Sequence, residues 1–278
     1  MADETNVTSK QNLTDENAFR SALIVGQGED GSLVPLDDGN TFMYCRFGQG
    51  GATCVASFMV NMLMWNGPKE LRLWVSGDKC AGEFLLEDWA KLVGSNTILA
   101  EYTWSDEKDK VLIVLEAIER FYSQAVLPHI ELQKIVDAEG IDKLNADQKY
   151  EYDRKRVLML NMLLTGDEGM QMILIALRKV FEAQKADNGI GVVISNSDWI
   201  PDQYTLNECF NNVVCTPCST EASWKLLGSS IAGDSKVHSG VVWFKRRDDK
   251  VQAIKIKYRP DSFIRKLIKA FKVKGKNK

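Results

Sequence analysis

The sequence predicts an α+β fold: a mixed or antiparallel sheet carrying a large helical insertion. Three observations lead there. Short β-patterned runs lie near both ends of the chain, the middle has helical apolar spacing, and two β runs late in the chain are joined by a charged five-residue turn. The length of 278 residues suits one large domain or two small ones, and a 45% apolar share supplies a core without staples. Three regions follow: a polar, disordered N-terminus over 1–17, an α+β body over 18–262, and a basic amphipathic arm over 263–278.

Within the body, 26–39 is rich in Gly and Asp and is expected to be loop. A strand is expected over 41–47, ending in the turn Gly48-Gln49-Gly50-Gly51. A helix should follow, capped by Thr53 and stopped at Gly67-Pro68, with Val55, Phe58, Met59, Met62 and Leu63 on its apolar side. Residues 70–76 alternate as a strand does, and 84–93 has helical spacing. The insertion spans about 106–187. Its helices are marked by Val111, Leu112, Leu115, Ile118 and Phe121, closing near Pro128, and then by 150–164 and 170–186. Strands return at 190–194 and at Val213-Val214, with a helix over 220–227. Residues 238–245 and 251–258 form the hairpin, and a last helix follows Asp261.

No apolar run reaches 18 residues, so no membrane span is expected. The start of the chain is polar and acidic, unlike a secretory signal, and six scattered cysteines favour free thiols. Both point to the cytoplasm. The net charge of −3 conceals an asymmetry. From residue 245 onward there are 14 Lys and Arg against three acids, leaving 21 basic and 35 acidic residues before it. Arg265, Lys266, Lys269, Lys272 and Lys274 border or follow the apolar stripe Ile264, Leu267, Ile268, Phe271. Such an arm suits an anionic membrane surface or an acidic protein, and nucleic acid is a further candidate partner.

With only His129 and His238 present, a catalytic imidazole has few candidates. Cys54 follows a glycine-rich turn and opens a helix, where dipole and free N–H groups favour a thiolate. His238 opens a hairpin strand, and cross-strand partners summing to about 495 bring it opposite the segment just before Asp261. Asp261 or a nearby group would orient the imidazole, and Gln49 or the Cys54 amide would hold an oxyanion. The segment from Gln49 to Phe58, with His238-Ser239-Gly240-Val241-Val242, resembles the nucleophile and histidine segments of papain-like cysteine hydrolases. That resemblance implies acyl transfer or amide hydrolysis on a peptide or amide substrate, with no cofactor, and a bacterial effector or amidase style. The competing class is a non-catalytic interaction protein, of viral or effector type, working through the basic arm.

Other constellations share these residues. Gly48, Gly50 and Gly51 after a strand, with Asp78 some thirty residues on, outline a dinucleotide-binding turn, although Thr53 takes the third glycine's place. Cys215-Thr216-Pro217-Cys218 has the form of a redox turn. With Cys209 and His238 it could instead hold zinc.

Overall fold

The structure is a computed structural model that describes residues 23–28, 31, 33–36, 39–46, 50, 51, 54, 55, 57–59, 62, 71–78, 97–102, 107–162, 165–185, 189–233, 240–247 and 249–255. Its described strands form one sheet of ten: β1 (Leu23–Gly28), β2 (Leu33–Leu36), β3 (Thr41–Tyr44), β4 (Leu71–Asp78), β5 (Thr97–Tyr102), β6 (Lys155–Asn161), β7 (Ile190–Asn196), β8 (Asn212–Cys215), β9 (Val241–Arg246) and β10 (Gln252–Lys255). The spatial order is β2-β1-β10-β9-β8-β3-β7-β6-β4-β5. From β8 to β5 all neighbours are parallel, whereas β9, β10, β1 and β2 add on as antiparallel pairs. The sheet is therefore mixed, as expected.

The parallel half explains itself chemically. β6 reads Val157-Leu158-Met159-Leu160, and every one of these side chains is buried. A strand covered on both faces has no polar side to alternate with, so it appears as a continuous apolar run. That is why the expected helix over 150–164 is corrected to a short helix followed by this strand. β7 has the same character, with all seven residues buried.

Helices α1 (Glu107–Phe121), α2 (Leu127–Glu139) and α3 (Ala146–Tyr152) intervene between β5 and β6 and form the helical insertion. α1 passes through a π-helical segment, Tyr122–Val126, into α2, where Pro128 sits in the first turn. Pro128 therefore lies within a continuous helical run, just past the π-helical segment that interrupts the regular hydrogen-bond ladder, and does not close the helix. Asn145 and Gln148 exchange hydrogen bonds of 2.9 Å in a capping box at α3. α4 (Asp167–Gln184) links β6 to β7, α5 (Gln203–Cys209) links β7 to β8, and α6 (Thr220–Leu227) follows β8.

Successive residues of each strand divide between two cores. On one face Phe42, Tyr44, Trp74, Leu158, Ile194 and Cys215 pack with α1, α4, α5 and α6. On the other, Met43, Leu73, Val75, Met159 and Val193 pack with Cys54, Val55, Phe58, Met59 and Met62 of the helix after β3. Full burial of such a side chain stabilises by about 1.5–3 kcal/mol relative to exposure.

The hairpin is present as β9 and β10, with Gln252 opposite Phe244, one residue from the expected register. The loop expected over 26–39 is corrected: β1 and β2 occupy half of it, and β1 pairs with β10. The expected helix over 84–93, the 1–17 region and the arm over 263–278 lie outside the described residues. Among the described residues no helix is long and apolar enough to cross a membrane.

Candidate functional site

In a parallel sheet, ligands gather at the carboxyl ends of the strands, where neighbouring strands send their connections to opposite faces. That condition is met at β3. The helix after β3 packs on one face, and α5 and α6, which follow its neighbours β7 and β8, pack on the other. The site is thus bordered by the turn after β3 and by the ends of β7, β6 and β8.

The turn after β3 has the strand–loop–helix form of a phosphate-binding loop. Cys45 follows the strand, Gly50 has φ +81°, Gly51 is already helical, and the Cys54 N–H donates to the Gly50 carbonyl at 2.9 Å. Such a loop carries the pattern G-x-x-x-x-G-K-[ST], in which lysine reaches the β/γ-phosphates and the hydroxyl binds magnesium. Counted from the end of β3, the lysine place is Gly51 and the hydroxyl place Ala52. Counted from Gly48, they are Cys54 and Val55. Neither register supplies a cation, and residues 47–68 contain no Lys or Arg.

The loop also lies close over its helix. A Cβ at Gly51 would fall on the Cys45 carbonyl, 2.7 Å from its carbon, and 2.9 Å from the Arg46 carbonyl oxygen. Any side chain at Gly51 therefore requires the loop backbone to move. Cys54 and Val55 are buried in the core.

β6 and β7 end in amides, where nucleotide hydrolysis would use a magnesium-binding carboxylate. β6 ends at Asn161, β7 at Asn196 and β8 at Cys215; β4, beyond β7 and β6, ends on Asp78. Asn161 accepts a hydrogen bond from the Ser195 hydroxyl at 2.6 Å. Asn196 is fully buried. Its amide donates to the Met162 and Thr165 carbonyls at 2.8 and 3.0 Å, and its oxygen accepts from the Asp198 and Trp199 N–H groups at 2.8 and 2.7 Å. Gly77 of β4 has φ +138° and abuts Asn161, so that close approach too depends on glycine. On the β8 side, the Thr216 hydroxyl accepts from the Arg46 N–H at 3.1 Å and donates to the Tyr44 carbonyl at 3.2 Å.

No family model and no curated protein matches the sequence. Solved structures do. The cytoplasmic domain of the Thermomonospora curvata Type VII secretion ATPase EccC superposes with a TM-score of 0.64 at 13% identity, over 91% of this chain and 31% of that one. The pCW3 conjugation coupling protein TcpA, with ATPγS, gives 0.60 at 13% identity over 90% and 70%. EssC (ATPases 2 and 3) from Geobacillus thermodenitrificans gives 0.56 at 13% over 91% and 48%. The chain thus has the fold of these ATPase domains and spans about a third of the EccC chain.

This fold overturns the resemblance to papain-like cysteine hydrolases, and the cysteine-hydrolase function with it. Gly50, Gly51 and the helix bearing Cys54 follow β3 in the parallel half of the sheet. Cys54 itself is 2% exposed among Met43, Phe58 and Met159. Gln49, His238 and Asp261 lie outside the described residues, as do Arg265, Lys266, Lys269, Lys272 and Lys274. Asn161 and Asn196 had no place among the candidate residues, and Gly51 entered only as part of the dinucleotide-type turn. Among the described residues no group of three or more His, Cys, Asp and Glu could hold a metal.

Proposed function

We propose that this chain is a non-hydrolysing ATPase-fold subunit, which keeps the sheet of a translocation ATPase domain and works beside ATP-hydrolysing domains rather than as one. The observation that carries this is the turn after β3, with no Lys or Arg from 47 to 68 and a Gly51 position closed to any side chain. Without that cation the β/γ-phosphates lose their principal charge partner, and without a carboxylate at Asn161 or Asn196 magnesium loses its protein anchor. The network around Asn196 supports the same view, since the amide's four hydrogen bonds all go to backbone groups.

The structural neighbours indicate the setting. EccC belongs to type VII secretion and TcpA to conjugation, and the names of EssC and EccC structures specify ATPases 2 and 3. A chain matching about a third of such a protein would serve as one domain-sized unit in a larger assembly. EccC and EssC structures are named as cytoplasmic domains, which supports a cytoplasmic location for this chain.

The test is phosphate release by the full chain with magnesium and ATP. The expected result is turnover indistinguishable from buffer. Turnover of about 0.1 s⁻¹ or faster, a tenth of the low end of ordinary enzyme rates, co-eluting with the protein through two columns, would overturn the proposal.

A further inference from the structure

We infer that Cys215-Thr216-Pro217-Cys218 is a thiol–disulfide exchange site whose oxidant is a small-molecule disulfide of the glutathione type. Cys215 closes β8 and is fully buried, whereas Cys218 is half-buried just before the cap of α6. Their sulfur atoms are 3.5 Å apart and share a hydrogen bond. A disulfide bond is about 2.0 Å long, so closure needs the sulfurs to approach by only about 1.5 Å.

The turn is held for that approach. The Thr216 N–H donates to the Tyr44 carbonyl at 3.0 Å and the Cys218 N–H to the Ala232 carbonyl at 3.2 Å. Ser219 caps α6 by accepting from the Ala222 N–H at 3.2 Å. The backbone on either side of both cysteines is thus fixed while the sulfurs face each other.

The two thiols have different chemistry. The Cys215 thiol, hydrogen-bonded to Cys218, holds the Cys218 sulfur below the ordinary thiol range. Burial opposes this shift, and the Arg46 guanidinium adds to it. Cys215 is held well above that range by the same hydrogen bond and by burial. The accessible thiol is therefore the nucleophile and the buried one resolves, which is the division exchange requires.

The steps balance. The Cys218 thiolate attacks one sulfur of glutathione disulfide, forming a mixed disulfide and releasing one glutathione thiolate. Cys215 then attacks the Cys218 sulfur, which breaks the mixed disulfide, and its proton passes to the second glutathione as that thiolate departs. Two protein thiols are oxidised and one small disulfide is reduced to two thiols. The Thr216 hydroxyl bonds both Tyr44 and Arg46, so the turn that exchanges also anchors the loop after β3.

The experiment equilibrates the full chain in glutathione buffers of graded ratio, quenches in acid, and maps thiols by intact mass and peptide mass spectrometry. The expected result is a reversible Cys215–Cys218 disulfide in oxidising buffer. Cys215→Ser should trap glutathione on Cys218, and Cys218→Ser should leave Cys215 unmodified. In the reduced protein, Cys218 should alkylate at least about tenfold faster than Cys215 at neutral pH. No intramolecular disulfide at any ratio, a wild-type protein that stops at the Cys218 adduct, or a disulfide joining Cys218 to Cys209 would each overturn the inference.

Discussion

The turns after β3 and β7 leave adjacent parallel strands at the same edge of the sheet, yet they are held in opposite ways. After β7 a single buried amide, Asn196, satisfies four backbone groups. After β3 the loop lies on a position with no side chain, over Gly51. One turn is specified by hydrogen bonds and the other by the absence of a Cβ. Two neighbouring turns at one edge of the sheet are thus kept in shape by uncharged contacts. The charges that phosphate chemistry needs are a separate requirement, and residues 47–68, which contain no Lys or Arg, do not supply the cation.

Asn196→Ala should have the largest effect. It removes four hydrogen bonds from a fully buried position, and unsatisfied buried groups cost about 1–3 kcal/mol each. A loss of about 4 kcal/mol is expected once partial relaxation is included, read as a lower urea midpoint with unchanged slope. A loss under about 1 kcal/mol would show that the β7 turn is held by something else.

Gly51→Ala should cost about 2 kcal/mol, the usual scale for forcing atoms into filled space. Gly51→Lys should cost at least as much and bring no nucleotide binding, because the loop must move before lysine can reach anything. A lysine variant that is stable and binds ATP would show the loop to be a functional cradle lacking one residue.

Asn161→Asp sharpens the comparison from the other side. The position is 3% exposed, so a carboxylate there is desolvated and its pKa raised. The penalty should be small near pH 4 and grow as pH rises through the unfolded carboxylate range, reaching about 1–2 kcal/mol at pH 7. Denaturation at several pH values reads it, and magnesium should not restore the loss.

The smallest effect concerns the cap of α5. The Asp202 carboxylate is held below its usual range by accepting the Thr205 N–H, at 2.6 Å. Its contribution is present above the unfolded carboxylate pKa and is lost as pH falls through the lower folded value. Asp202→Asn should flatten that acid-side slope slightly while leaving stability at pH 7 nearly unchanged.

Much of the fold was legible in the residues. The hairpin alternates, the strand at Leu71–Asp78 alternates, and α4 and α6 follow helical spacing. β6 was not legible as a strand, because Val157-Leu158-Met159-Leu160 lacks alternation and is rich in helix formers. With it went the recognition of successive βαβ units. That loss misdirected the site as well. The turn at Gly48–Gly51 stood out as a phosphate-type loop, but without a parallel sheet behind it Cys54 at the helix start looked like a nucleophile. Asn161 and Asn196 carry no signal of their own; only the strand ends they occupy give them meaning.

Whether the fold still holds nucleotide is read from thermal unfolding of the full chain with and without millimolar magnesium ATP. A ligand present at 100 times its Kd stabilises the folded state by about 2.7 kcal/mol, a shift of several degrees for a chain of this size. The midpoint is expected not to move. A saturable rise of several degrees, matched by ATPγS but not by sulfate, would contradict it.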